Sequence, residues 1–149
     1  MPKVEAINIS TKKGVVKKPI PVAEFRENYG IVDDAHAGDW HRQVSLLPLE
    51  SIEKVRELIP SLADGAFAEN IIVSGVDFGQ IQIGTQLFIG DGILLEVTQI
   101  GKECHTGCAI RTITGDCIMP REGIFCRVIH GGQMQPGNPV RLGELAGVA

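Results

Sequence analysis

Glycine limits what this chain can fold into. Between Asn70 and Ile100, glycines at 75, 79, 84, 90 and 92 cut the apolar sequence into short runs. These runs are Asn70-Ile71-Ile72-Val73, Gln86-Leu87-Phe88-Ile89 and Ile93-Leu94-Leu95-Glu96-Val97-Thr98-Gln99-Ile100. Short apolar runs bounded by turn formers read as strands, and Asp91-Gly92 between the last two is a hairpin turn signal. The chain holds 18 Gly and 8 Pro in 149 residues, a poor composition for a helical bundle. Its 44% hydrophobic content suits a packed globule and argues against disorder.

The remaining pattern extends the same reading. Val4 to Ser10 alternates as a first strand, and Lys12-Lys13-Gly14 is a turn. Val15 and Val16 open a second strand that Lys17-Lys18-Pro19 interrupts, and residues 28–40 read as loop. Gln43 to Leu47 reads as a buried strand. Pro48 to Ile59 is the one clear helix, with Leu49, Ile52, Val55, Leu58 and Ile59 at helical spacing and Pro48 suited to an early helical position. Ile124 to Ile129 and Val140 to Leu142 complete the strands. No repeat or linker divides the sequence, so one domain over 1–149 is expected. The expected fold class is mainly β with a few helices, arranged as a closed or nearly closed β-barrel.

Charge narrows the partners. The net charge is −4, yet residues 1–30 carry six Lys/Arg against three Asp/Glu, a balance of +3, which leaves −7 for the rest. Seven aromatics and an acidic isoelectric point argue against nucleic acid. The lysines at 12, 13, 17 and 18 are enough for a small polyanion, or they form a solvated loop. No apolar run approaches the ~18 residues that span a bilayer, and the first residues lack the apolar core of a signal peptide. A cytoplasmic protein is therefore expected, with no membrane or nucleic-acid partner. In that compartment clustered cysteines point to catalysis or metal binding rather than disulfides.

All four cysteines fall between 104 and 126. Gly101-Lys102-Glu103-Cys104-His105-Thr106-Gly107-Cys108 comes directly after a strand, with Lys102, His105 and Arg111 nearby. Positive neighbours favour the thiolate, which can act as nucleophile, sulfur carrier or soft-metal ligand. Cys104 leads these candidates and Cys108 comes second. Cys126 shares a strand face with Ile124 and Val128 and reads as core. A zinc site from Cys104, Cys108 and Cys117 with His105 or His130 stays open as an alternative, that of a zinc-stabilised, non-catalytic binding module. The Cys-x3-Cys and Cys-x8-Cys spacings lack the paired knuckles of strong zinc motifs.

Two further clusters carry chemistry. Asp33-Asp34-Ala35-His36-Ala37-Gly38-Asp39-Trp40-His41-Arg42 is a polar loop ahead of an apolar strand, in which Arg42 offers a fork for phosphate oxygens. Phe67-Ala68-Glu69-Asn70-Ile71 places an Asn that either reads the edge of a heterocycle or ends a turn.

In this order the segments resemble the MOSC domain, the C-terminal domain of molybdenum-cofactor sulfurases, in its small prokaryotic form. The resemblance rests on Lys12-Lys13-Gly14 with Lys17-Lys18-Pro19, Asp34-Ala35-His36-Ala37-Gly38 with His41-Arg42-Gln43-Val44-Ser45-Leu46-Leu47, and Phe67-Ala68-Glu69-Asn70-Ile71. It continues through Leu95 to His105, Met119-Pro120-Arg121-Glu122-Gly123-Ile124-Phe125 and Gly131-Gly132. The resemblance implies a barrel related to the one inserted in pyruvate kinases. It also implies a cysteine, matched here by Cys104, that carries sulfur to molybdenum or ligates it. Cys108 is the second candidate. Lys12, Lys13, Lys18 and Arg42 match the region facing the phosphate of molybdopterin, and His36, Asn70 and Arg121 fall in other motif blocks. One departure stands out: the family usually has Gly where this chain has Asp33.

The implied function is binding of molybdenum cofactor, with the protein acting as a carrier or as a sulfurtransferase. Sulfur would come from a separate cysteine desulfurase that holds the pyridoxal phosphate, and a molybdoenzyme would receive the product.

Overall fold

The computed structural model describes residues 2–12, 17–61, 65, 67, 69–101 and 123–145. Strand β1 (Lys3–Ile9) is followed by the short strands β2 (Lys18–Pro19), β3 (Ala23–Arg26) and β4 (Gly30–Ile31). Next come β5 (Val44–Pro48), helix α1 (Leu49–Arg56), β6 (Ile71–Ser74) and a 3-10 turn at Phe78–Gln80. The chain continues through β7 (Thr85–Ile89), β8 (Ile93–Ile100), β9 (Ile124–His130), β10 (Gly132–Met134) and β11 (Val140–Leu145). The fold is mainly β with one α-helix among the described residues.

Eight strands form one mixed sheet in the order β11-β7-β8-β9-β5-β6-β1-β2, and β10-β3-β4 form a second. Within the large sheet β5 and β6 are parallel, with α1 in the connection between them, as a parallel pair requires. The β7–β8 pair is the expected hairpin. Ile89 opposes Ile93, and Gly90 takes the left-handed φ of 63° that opens the turn. Residues 2–4 also exchange backbone hydrogen bonds with residues 137–140, so the start of β1 lies against the approach to β11.

The central strands are apolar on both faces because both faces are covered. In β5 all five residues are buried. Leu46 joins Ile71, Val73, Leu95 and Val97 in the larger core, whereas Leu47 and Ile72 turn the other way onto Ile52 and Val55 of α1. Burying Ile52 and Val55 contributes about 1.5–3 kcal/mol each at most, which is what docks the helix.

Three local expectations change. α1 stops at Arg56, and Leu58, past its end, is 68% exposed instead of extending the apolar stripe. Lys18–Pro19 does not interrupt a strand but forms one at the sheet edge, where the missing proline N–H costs nothing. A bulge between Val4 and Ala6 breaks the alternation of β1, so Ala6, Ile7 and Asn8 are buried in succession. The Val15–Val16 strand lies outside the described residues. Among those described, no helix is long and apolar enough to cross a membrane.

Candidate functional site

The site grows from the loop between β4 and β5. Asp33 adopts φ 72°, a left-handed turn that lets the chain double back and points Asp34 inward. The Asp34 carboxylate then gathers three donors around itself. Oδ1 accepts from the Lys17 ammonium at 2.7 Å and from the Ser10 N–H at 3.2 Å, and Oδ2 accepts from the His36 N–H at 3.2 Å. Both side chains of the Lys17–Asp34 pair are fully buried. Nζ of Lys17 also lies 3.2 Å from the Ser10 hydroxyl and 2.9 Å from His36 Nδ1. The Ser10 hydroxyl in turn donates to the Lys12 carbonyl at 3.0 Å.

A second arm leads away from His36. Its ring stacks on Trp40 at 6.4 Å, and Trp40 Nε1 donates to the His36 carbonyl at 2.7 Å. Trp40 meets His41 edge-on at 5.7 Å. Gln99, at the end of β8, brings the next two side chains together, since its Oε1 lies 2.9 Å from both His41 Nε2 and Arg42 Nε. The Arg42 guanidinium lies over the Phe125 ring at 5.2 Å. The Gln99 Nε2 donates to the Gly101 carbonyl at 2.7 Å, and the Gly101 N–H donates to Gly123 at 2.7 Å. Contacts thus run without a break from Lys17 through His36, Trp40, His41 and Gln99 to Gly101, with Arg42 joined at Gln99.

The segment around Glu69 supports the buried end of this row. Its carboxylate, fully buried, accepts the N–H groups of Gly65 at 2.9 Å and Phe67 at 3.0 Å. The Gly65 carbonyl then accepts the Lys17 N–H at 2.9 Å. Gly65 has φ +87°, and a Cβ there would sit 2.0 Å from the Lys17 carbonyl oxygen. Only glycine lets this turn press against Lys17.

Of the sequence candidates, Lys12, His36 and Arg42 belong to this region. The Lys12 side chain is exposed, as is Lys18 on the edge strand β2, whereas His36 and Arg42 are half-buried. Asn70 sits apart from the row. It is buried, its Oδ1 accepts from Ser45 and its Nδ2 donates to Asn8 at 3.0 Å, so its amide ties β5 and β1 to the start of β6. Cys104, Cys108, Lys13 and Arg121 lie outside the described residues, as do Cys117 and His105 of the zinc alternative. Cys126 is core, as expected, and burial pushes its thiol well above the ordinary range, with the Glu96 carboxylate adding to the effect.

The sequence does not single out Lys17, Asp34, His41 or Gln99 as site residues. Lys17 reads there as one more lysine of a basic stretch, and its inward turn depends on Asp34, seventeen positions away. Gln99 lies within a segment that carries the MOSC resemblance, but nothing in that segment marks it apart from its neighbours.

The MOSC domain pattern matches residues 33–141. The chain belongs to the MOSC domain family. No curated protein matches it in sequence. Among solved structures it is similar to the YuaD protein from Bacillus subtilis, with 19% identity, a TM-score of 0.77 and coverage of 95% of this chain and 96% of that one. It is also similar to YiiM from Geobacillus stearothermophilus, with 20% identity, a TM-score of 0.70 and coverage of 97% and 76%. YiiM from Escherichia coli gives 16% identity, a TM-score of 0.66 and coverage of 99% and 72%. At these identities the MOSC fold is what is shared.

Proposed function

We propose that this MOSC protein binds molybdenum cofactor along the row from Lys17 to Gly101 and acts as a carrier or sulfur-transfer protein in cofactor maturation. The carrying observation is where the row ends. Gln99 ties Arg42 and His41 to Gly101, and Cys104 comes three residues after Gly101 in the sequence.

The residues fit such a ligand. Arg42 is held through Nε and its ring contact, an arrangement that suits the rest of its planar fork to phosphate oxygens. Lys12 and Lys18 add exposed positive charge to offset a phosphate. Lys13 and Arg121 join them in this reading on their motif positions alone. When bound, the group supplies a soft metal centre that thiolate sulfur suits.

The part of Cys104 is that of thiolate ligand or persulfide carrier, with Cys108 as the second thiol. In the carrier version the Cys104 thiolate takes the terminal sulfur from the persulfide of a pyridoxal-phosphate-dependent cysteine desulfurase, whose own thiolate leaves. The recipient is a molybdoenzyme, and the setting is the cytoplasm. The backbone bonds between residues 2–4 and 137–140 support a sheet that closes into a single-domain barrel.

The test measures molybdenum and pterin retained after incubation with free molybdenum cofactor, for the wild type, Cys104→Ala and Arg42→Met. The wild type is expected to keep both. Cys104→Ala should lose molybdenum, and Arg42→Met should retain about tenfold less cofactor, the effect of one charge-assisted contact. A wild type that keeps neither overturns the reading. Stoichiometric zinc in its place, lost in Cys117→Ser, would support the zinc-stabilised module.

A further inference from the structure

The Lys17 ammonium has three N–H donors and no acceptor. Three acceptor atoms surround it: Asp34 Oδ1 at 2.7 Å, His36 Nδ1 at 2.9 Å and Ser10 Oγ at 3.2 Å. An ammonium at 2.9 Å from an imidazole nitrogen requires that nitrogen to present its lone pair. Nδ1 of His36 therefore carries no proton, and in the neutral ring the proton resides on Nε2.

The lock is firm because each part is fixed by something else. Lys17 is fully buried, paired to a fully buried carboxylate, and its backbone is pinned to Gly65. The His36 N–H is held by Asp34 Oδ2 and its carbonyl by the Trp40 indole. Moving the proton to Nδ1 would set two N–H groups head to head beside a buried cation.

We propose that Lys17 is a positioning residue that fixes His36 as its Nε2–H tautomer, so that Nε2 of His36 presents a hydrogen-bond donor and not a lone pair that could bind a metal. Any atom that this Nε2–H meets has to be an acceptor, such as a phosphate, carbonyl or ring oxygen. A metal at Nε2 would have to displace the proton that Lys17 keeps there. The assignment to a ligand rests on the cofactor-binding reading; the tautomer itself does not.

The test is the long-range proton–nitrogen NMR spectrum of ligand-free protein labelled at histidine with nitrogen-15, at neutral pH, with His36→Gln used to assign the signals. A pyridine-type Nδ1 and a pyrrole-type Nε2 are expected, and they should persist when zinc ion alone is added. The opposite tautomer, an imidazolium pattern, averaged signals or loss of the Nε2 proton to zinc overturns the proposal. In Lys17→Met combined with Asp34→Leu, the His36 signals should collapse to an average of the two tautomers. An unchanged pattern in that folded variant would remove Lys17 from the role. Failure of cofactor retention with the tautomer intact would instead count against the cofactor reading alone.

Discussion

Lys17 and Asp34 form a 2.7 Å ion pair in which neither side chain reaches solvent. Such a pair is an expensive way to fill a core, because both charges have left water. Removing one partner strands the other. Lys17→Met is expected to cost about 3–5 kcal/mol, whereas adding Asp34→Leu should recover only part of the loss, because the Ser10 and His36 N–H groups then lose their acceptor. Urea denaturation of the three proteins measures this directly. A single variant as stable as the wild type would show that the pair is not the buried charge pair described here. Recovery in the double variant, with cofactor retention still reduced, would mean that the pair is kept for the site and not for stability.

Gln99 joins His41 and Arg42 to the end of the row at Gly101. Its Oε1 serves His41 and Arg42, and its Nε2 serves Gly101. Gln99→Leu keeps the size and removes all three bonds. Stability should fall by about 1–2 kcal/mol, given the partial exposure of the partners. Molybdenum-cofactor affinity should fall about tenfold, or about 1.4 kcal/mol, when measured by equilibrium binding. A loss of stability with no loss of affinity would leave Gln99 as a framework residue only.

Much of this arrangement is legible in the sequence, and the exceptions have physical reasons. The strands from Ile71 to Ile100, the hairpin at Asp91-Gly92 and buried Cys126 are read from local patterns, because burial on a pleated strand imposes its own period. Ala23-Glu24-Phe25-Arg26 alternates just as cleanly and is strand β3, but at four residues the signal is too short to stand out between Pro21 and Gly30. Leu58 fits helical spacing and yet is exposed, since periodicity does not say where a helix stops. Lys17 and Lys18 are neighbours of identical chemistry, one fully buried and one exposed. What separates them is a carboxylate on a distant loop, which no local window contains. His36 and Arg42 both lie on the loop before β5, while Glu69 and Asn70 bond the segments around Lys17 and Asn8.

Asp33 is where a departure from the family acquires a cost. Its φ of 72° is a conformation in which side chains other than glycine are strained by about 1–2 kcal/mol, somewhat less for Asp. Glycine relieves that strain but loses about 0.5–1 kcal/mol through greater freedom when unfolded. Asp33→Gly should therefore stabilise the protein modestly, by about 0.5 kcal/mol, seen as a small rise in denaturation midpoint. Asp33→Ala, which keeps a Cβ, should instead destabilise it. If Ala and Gly behave alike, backbone conformation is not what this position controls.

Cys126 supplies a pH dependence whose sign can be worked out. It lies at the centre of the large sheet, with Val97 and Val44 opposite it on the two neighbouring strands. Burial first, and the Glu96 carboxylate second, raise its thiol far above the ordinary range. The folded protein thus keeps this proton where the unfolded chain, with a thiol near about 8.5, gives it up. Below that pH both states hold the proton and the group adds no slope. Above it the unfolded state binds fewer protons, so stability falls as pH rises, by up to about 1.4 kcal/mol per pH unit from this group. Cys126→Ala should cost about 1 kcal/mol at neutral pH through lost packing. Its decline between about pH 8.5 and 10 should nevertheless be shallower than that of the wild type, because every other titrating group is common to both. Parallel declines would mean that the Cys126 thiol ionises in the folded protein, and the sheet centre would then be wetter than its burial indicates.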